Sequence, residues 1–228
     1  ETRVISDTGG VSLTVVEGDG ALHAYVPEGP CPGLPGTTCY ASPPGFHRRL
    51  QATPAGYILI HKNGTQQRFD DQGRLRAIAD RHNNEISLLY QDDGACLQPS
   101  PPDVLCRVDD PTGLRALEFT YTESAGGPVI GTVRENIDGA VGRTISYTYG
   151  VTGDLVDVAY PEEPADTDNY VYDGDHRLTA YTDPRQPAGA RTVESIAYDA
   201  LDRVLTTTFY VDSFFDVWPM LVFTPVGG

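Results

Sequence analysis

The residues of this chain that could do chemistry are few, and their spacing matches no familiar catalytic motif. There is no Gly-rich phosphate loop, no G-x-S-x-G and no H-E-x-x-H. The five histidines are His23, His47, His61, His82 and His176. None of them stands four residues from another, and no spacing supports a nucleophile pair of Cys96 or Cys106 with a histidine. We therefore expect no catalytic residues, and a hydrolase is the least favoured hypothesis.

Clustered carboxylates are the second possible source of chemistry, because Ca²⁺ takes several oxygen ligands. Such a cluster consists of Asp166, Asp168, Asp173 and Asp175. Its spacing does not fit the EF-hand loop, and Asp173 has a different explanation in the repeat described below. We therefore expect no metal and no cofactor.

The four cysteines form two local pairs, Cys31 with Cys39 and Cys96 with Cys106, each in a loop rich in proline or glycine. Four cysteines allow three pairings. A zinc site would favour C-x-x-C spacing, which is absent, and no histidine lies within five residues of these cysteines. We predict local disulfides, with free thiols as the alternative. Disulfides would indicate a secreted or cell-surface protein, because such compartments keep them oxidised.

Composition excludes some classes of partner. The formal net charge is −16, and Lys62 is the only lysine. Because a phosphate-binding surface needs clustered Lys and Arg, we do not expect a nucleic-acid partner. No stretch reaches the roughly 18 apolar residues of a membrane span.

The elements that must position these residues are β-strands. Polar and apolar residues alternate in Arg143–Tyr149 and Leu117–Tyr121, while 57–61 ends at the turn signal Asn63-Gly64. The same Asn63-Gly64-Thr65 segment is a glycosylation sequon, but a hairpin turn explains it more simply. The chain has 24 glycines and 18 prolines, which suits many short strands and tight turns. The sequence predicts an all-β, antiparallel sheet of hairpins.

One unit recurs along the chain: an aromatic residue followed by Asp, a turn, Arg, and an aliphatic residue six positions after the aromatic. The three good copies are Phe69, Asp70, Arg74 and Leu75, then Tyr172, Asp173, Arg177 and Leu178, then Tyr198, Asp199, Arg203 and Val204. Weaker copies begin at Tyr149 and Tyr90. Repeat arrays use such recurring units.

The spacing has a physical explanation. The aromatic residue ends one strand and the aliphatic residue begins the next, so the residues between them make a hairpin. The Asp can accept hydrogen bonds from turn N–H groups, and the Arg can reach that carboxylate across the hairpin. We therefore predict a turn-forming role for both rather than a catalytic one, because active sites do not usually repeat.

These motifs resemble the YD-repeat or Rhs family, which includes bacterial Rhs toxin shells, the shell of Tc toxin complexes and the animal teneurins. The strongest match runs through Gly56, Tyr57, Gly64, Arg68, Phe69, Asp70, Gly73, Arg74, Leu75, Ile78, Asp80, Asn83 and Tyr90. The resemblance implies strands of a long antiparallel sheet that spirals into a hollow shell. That shell encloses a toxic domain in Rhs and Tc proteins and supports adhesion in teneurins. Because a closed shell takes many more repeats than 228 residues hold, we expect a segment of an open shell.

The pattern divides the chain into three parts: a β segment at 1–55 with the Cys31/Cys39 loop, a repeat array at 56–212, and an off-pattern apolar segment at 213–228. The last part is a cap over the sheet, or a strand that adds to another subunit. Its possible subunit-contact residues are Phe214, Phe215, Trp218, Leu221 and Phe223.

Three functional hypotheses follow. The leading one is a non-catalytic, secreted or surface YD-repeat scaffold, a segment of a toxin-encapsulating shell or adhesin, whose partners are other subunits or the rest of a longer shell. The second is an extracellular fibre whose subunits join edge to edge through the C-terminal strand. The third is a carbohydrate-binding module, because exposed tyrosines on a flat sheet can stack on sugars.

Overall fold

The protein is built almost entirely from antiparallel β-strands. A computed structural model describes residues 2–7, 11–97, 100–161, 167–183 and 192–210. These ranges contain eighteen strands and a single short 3-10 helix, Gln91–Asp93. The prediction of an all-β, antiparallel fold is therefore confirmed. No helix in the described part of the chain is long and apolar enough to cross a membrane. The five aromatic and aliphatic tail residues from Phe214 to Phe223 lie outside the described residues.

The chain divides into two compact units, which we describe separately. The first comprises Glu1–Cys96, Pro102–Leu117 and Ile137–Gly139. Its complete strands are β1 (Arg3–Ser6), β2 (Leu13–Val16), β3 (Leu22–Pro30), β4 (Thr38–Ala41), β5 (Arg49–Thr53), β6 (Gly56–Ile60), β7 (Gln66–Phe69), β8 (Leu75–Ala79), β9 (Glu85–Tyr90) and β10 (Leu105–Asp109). Each pairs antiparallel with the next along the chain, so the unit is a meander.

The core of the first unit lies on one face of this meander. Tyr40, Leu50 and Leu59 stand opposite one another in β4, β5 and β6. Because successive side chains on a strand alternate between faces, Cys39 and Gln51 form a neighbouring row on the other face. The core cluster consists of Val4, Leu13, Val15, Tyr25, Tyr40, Leu50, Leu59, Phe69 and Leu75. The repeat residues Phe69 and Leu75 thus belong to the core.

The second unit comprises Leu97–Pro101, Glu118–Asn136 and Ala140–Gly228. It holds most of β11 (Arg115–Ser124) and β12 (Gly127–Ile137), followed by β13 (Ala140–Tyr149), β14 (Leu155–Ala159), β15 (Thr167–Tyr172), β16 (Leu178–Asp183), β17 (Thr192–Tyr198) and β18 (Val204–Tyr210). From β13 to β18, each strand again pairs antiparallel with the next. The sequence-based division at 1–55, 56–212 and 213–228 rests on motifs and stays a prediction.

Buried carboxylates link neighbouring strands of the second unit through hydrogen bonds. The buried carboxylate of Glu118 accepts hydrogen bonds from Arg134 Nε, at 2.6 Å, and from Asn136 Nδ2, at 3.1 Å. The buried Asp168 accepts from the hydroxyl of Tyr160 at 2.7 Å and from that of Tyr181 at 3.2 Å. The hydrogen bond to Asp168 raises the pKa of Tyr160 to about 12. Buried polar groups satisfied in this way help to specify strand register.

Candidate functional site: a ladder of carboxylate-capped turns

The recurring Asp closes a five-residue turn, as the hairpin between β7 and β8 illustrates. The N–H of Asp70 donates to the carbonyl of Arg74, and the N–H of Gly73 donates to the carbonyl of Asp70, both at 3.0 Å. The Asp70 carboxylate accepts from the N–H of Gln72 at 3.1 Å and from that of Arg74 at 2.8 Å. Its second oxygen accepts from Arg74 Nε at 2.9 Å. One aspartate therefore satisfies two main-chain donors and one guanidinium.

The same turn recurs in the second unit. The carboxylate of Asp173 accepts from the main-chain N–H of Arg177 at 3.1 Å and from its Nε at 2.8 Å. The carboxylate of Asp199 does the same with Arg203, at 3.0 and 2.8 Å. The structure thus gives the Asp and Arg of all three good copies the same pair of contacts.

The rest of the motif follows from the turn geometry. The fourth residue of each turn, counted from the aspartate, has a left-handed backbone conformation, with φ of 78° at Gly73, 62° at His176 and 61° at Asp202. A one-residue bulge accompanies each turn and brings the aromatic residue opposite the aliphatic one. These cross-strand partners are Phe69 with Leu75, Tyr172 with Leu178, and Tyr198 with Val204. The six-residue spacing is therefore the span of a bulged hairpin.

Carboxylate-capped turns also occur without the aromatic residue of the repeat unit, as at Asp80 and at Asp110. Asp80, between β8 and β9, accepts from the N–H of His82 at 2.7 Å and from the N–H of Asn84 at 2.9 Å. Asn84 takes the place of the arginine and donates its side-chain amide at 2.7 Å. Asn83 supplies the left-handed residue, with φ of 65°. The signal in the sequence is Asp followed by Asn-Asn at the repeat spacing, without the aromatic residue.

The weaker copies depart from this pattern in different ways. After Tyr149, Gly150 and Asp154 keep the main-chain hydrogen bonds of the turn, at 2.8 Å between Gly150 N and Asp154 O, but no aspartate caps it from inside. After Tyr90 the chain enters the 3-10 helix instead of a hairpin. The main-chain turn therefore forms without the carboxylate, whereas the copy at Tyr90 does not form this turn.

Tyr90 instead makes a contact between successive repeats. Arg74 lies over the ring of Tyr90, 5.1 Å from its centroid, and the hydroxyl of Tyr90 donates to the carbonyl of Leu75 at 2.9 Å. Arg74 also pairs with Asp92 at 2.8 Å and with Asp103 at 3.0 Å. Tyr90 is 1% exposed. A cation over an aromatic ring is stabilising, and more so when the pair is shielded from water.

The second unit contains the same kind of contact between one turn and a tyrosine of a later strand. Arg177 lies 5.0 Å from the ring centroid of Tyr198, whose hydroxyl donates to the carbonyl of Leu178 at 2.8 Å. Arg177 also pairs with Asp202 in the following turn. We call this arrangement the repeat lock: the arginine of one turn, the tyrosine that ends a later strand, and the carbonyl of the aliphatic residue after the arginine.

Electrostatics link neighbouring turns further. The hydrogen bond from Arg177 holds the pKa of Asp173 below its ordinary value, and that from Arg203 does the same for the pKa of Asp199. His176 Nδ1 lies 2.9 Å from Asp154, in the preceding turn, and Thr152 and His176 together lower the pKa of Asp154. Nearby donors thus stabilise the carboxylates of Asp154, Asp173 and Asp199 in their charged form.

These shifts predict acid sensitivity of the second unit. A carboxylate with a lowered folded pKa stabilises the fold above its unfolded pKa of about 3.9, and this stabilisation is lost as the pH falls through the folded value. We therefore expect the urea midpoint to drop below about pH 4, and to drop less in a variant carrying Asp173→Asn and Asp199→Asn. Circular dichroism across the pH range checks this. The control is Asp71→Asn, and an acid response equal to wild type in the double variant would contradict the assignment.

The cysteines are joined as two local disulfides, Cys31 to Cys39 and Cys96 to Cys106, each with 5.0 Å between the Cα atoms. The second disulfide closes a loop that contains Asp103, one acidic partner of Arg74, while the other partner, Asp92, lies just before this loop. The disulfide therefore ties the β9–β10 connection together beside the repeat lock.

Opening this connection is expected to destabilise the first unit. Changing Cys96→Ser and Cys106→Ser together should lower the free energy of unfolding by about 2–3 kcal/mol, because the unfolded chain loses a closed loop. Urea unfolding of the double variant beside non-reduced wild type measures the loss. Unchanged stability would show that the loop is held without the disulfide.

The described residues contain no group of three His, Cys, Asp or Glu side chains that could hold a metal ion. Of the acidic cluster in the sequence, Asp166 lies outside the described ranges, Asp168 accepts from two tyrosines, and Asp173 caps its turn. The absence of metal and cofactor remains a prediction.

Comparisons with known proteins give similarity in structure only. No family model matches the chain, and no curated protein matches it. The Tc holotoxin pore of Photorhabdus luminescens is similar over 88% of this chain, at 14% identity and a TM-score of 0.49. Crystal structures of TcdB2-TccC3-TEV and TcdB2-TccC3-Cdc42 are similar over 87% and 88%, at 14% and 12% identity, each with a TM-score of 0.47. The chain spans 11% of the length of each of these chains.

Proposed function

We propose that this chain is a non-catalytic YD-repeat scaffold, a segment of a larger toxin-encapsulating shell or adhesin that is secreted or displayed at the cell surface. The repeat lock is the observation that carries the proposal. The recurring aspartates and arginines form the turns, and in the lock the arginine also joins one repeat to a later one. A sequence that uses its recurring charged residues in this way is organised to build an extended sheet.

The disulfides support the proposed location, because disulfides persist in oxidising compartments outside the cytosol. The proposed partners are further repeats of the same scaffold or other subunits of its assembly. The repeat tyrosines favour this role over sugar binding, because Tyr90 and Tyr198 are held against arginines and donate their hydroxyls to the main chain. Their rings are therefore not free platforms for stacking.

Sizing of the chain in solution discriminates the scaffold segment from the fibre hypothesis. Light scattering after size-exclusion chromatography should give a single species near the monomer mass of 24.7 kDa, because the lock joins repeats within one chain. Filaments seen by electron microscopy, growing with concentration, would instead support subunits that join edge to edge.

The shell proposal itself is tested on the natural polypeptide that carries this segment. Cryo-electron microscopy should show the strand ladder continuing into neighbouring repeats of the same sheet. An isolated domain bordered by unrelated folds would contradict the proposal.

A further inference from the structure

A cleft of about 480 Å³ opens in the first unit, away from the turn ladder. It lies where the loop closed by the Cys31–Cys39 disulfide meets β3, β4 and β5. Cys39 and Gln51 stand side by side on β4 and β5, on the face opposite the core row of Tyr40 and Leu50. Cys39 and Gln51 line the cleft together with parts of Tyr40 and Leu50, and the loop forms its opposite side.

The loop that forms one wall is held by its own contacts. The N–H of Cys31 donates to the carbonyl of Thr37 at 2.9 Å. The N–H of Leu34 donates to the carbonyl of Cys31, and that of Thr37 to the carbonyl of Leu34, both at 3.2 Å. Together with the disulfide, these bonds fix the loop before any ligand arrives, which lowers the entropy cost of binding.

Three polar side chains line the cleft without a partner among the described residues. Gln51 is only 8% exposed, yet its amide makes no hydrogen bond to the described part of the chain. Glu28 and Arg49, both exposed, likewise form no ion pair there. The Gln51 amide is not among the buried polar atoms that lack a partner, so it remains accessible from the cleft and can both donate to and accept from a ligand.

These groups define the chemistry of the ligand. The Gln51 amide both donates and accepts, as a peptide group does. The Arg49 guanidinium matches a carboxylate, and Glu28 matches a basic group. Pro32, Leu34 and the disulfide offer an apolar wall. We propose that the cleft binds a short peptide segment in which an apolar residue stands between an acidic and a basic one.

The test uses two blocked tripeptides of opposite order, acetyl-Lys-Leu-Asp-amide and acetyl-Asp-Leu-Lys-amide, titrated into the isotope-labelled chain and followed by NMR. The expected result is saturable shifts at the Gln51 side-chain amide with one of the two, and a Kd on the order of 1 mM for so small a ligand. If neither peptide shifts that amide, the proposal is overturned. Glucuronic acid is titrated in a separate experiment. Shifts with glucuronic acid but with neither tripeptide would overturn the proposal in favour of a site for a sugar acid.

Matched variants locate the binding. Arg49→Gln and Gln51→Leu should each weaken the bound tripeptide by about tenfold, because each removes a hydrogen-bonding group to the ligand. The control is Arg115→Gln, which removes the same charge from an exposed site outside the cleft. Equal binding by Arg49→Gln and Gln51→Leu, with well-dispersed spectra showing that they fold, would place the peptide elsewhere. The turn ladder lies outside the cleft, so failure here leaves the scaffold proposal standing.

Discussion

Replacing Gly73 by alanine is expected to lower the free energy of unfolding by about 3 kcal/mol, by strain and by a steric clash together. Gly73 has φ of 78°, a conformation that disfavours any side chain. A Cβ atom there would lie 1.8 Å from the carbonyl oxygen of Val4, and main-chain atoms cannot swing aside as a side chain can. The substitution should push β1 off the repeat turn on which it rests.

Chemical denaturation measures this loss, and hydrogen exchange of the Val4 amide locates it, because that N–H donates to the Gly73 carbonyl at 2.9 Å. The matched control is Gly113→Ala. Gly113 has a similar φ of 70°, and a Cβ atom at that position would meet nothing within 4 Å, so only the conformational cost of about 1 kcal/mol applies. Equal losses in the two variants would mean that β1 is not seated on the Gly73 turn.

Removal of the Tyr90 side chain is expected to have the largest effect in the repeat lock. Tyr90→Ala should cost about 4 kcal/mol, as for other large-to-small changes of buried aromatic residues. Tyr90→Phe keeps the ring beneath Arg74 and removes only the hydroxyl, which leaves the Leu75 carbonyl without that donor. We expect this smaller change to cost about 1–2 kcal/mol.

The control for the hydroxyl is Tyr57→Phe, since the hydroxyl of Tyr57 makes no hydrogen bond to the described residues of the structure. Urea unfolding of the three variants should rank them with Tyr90→Ala lowest and Tyr57→Phe near wild type. If Tyr90→Phe equals Tyr57→Phe, the bond from Tyr90 to Leu75 does not contribute to stability, and the lock reduces to ring packing and charge.

The two locks should differ in strength. The side chain of Arg74 is 11% exposed, whereas that of Arg177 is 26% exposed. Since water screens ion pairs and cation–π contacts, the lock in the first unit should contribute more to the free energy of unfolding than the lock in the second unit. The lock thus contributes most in the unit whose repeat also supplies Phe69 and Leu75 to the apolar core.

Much of the site follows from local sequence. Asp70, Asp173 and Asp199 each cap a turn whose other members lie within five residues, so spacing alone predicts both the hairpin and its arginine. The same locality explains the cysteine pairs, whose partners are eight and ten residues apart. The family resemblance includes Asp80, but the aromatic–Asp unit does not, because that unit requires an aromatic residue, whereas the turn requires only the carboxylate and a left-handed fourth position.

Contacts between repeats depend on register instead. Arg74 meets Tyr90 sixteen residues later, while Arg177 meets Tyr198 twenty-one residues later, and no constant spacing marks the pair. The approach of Val4 to Gly73 and the row of Cys39 beside Gln51 are likewise set by strand pairing. The turn-forming role of the recurring Asp and Arg was therefore determined by the sequence, because a turn closes within a few residues. Only the tertiary structure decided which tyrosine each arginine contacts and where a cleft forms, because those contacts depend on how distant strands align.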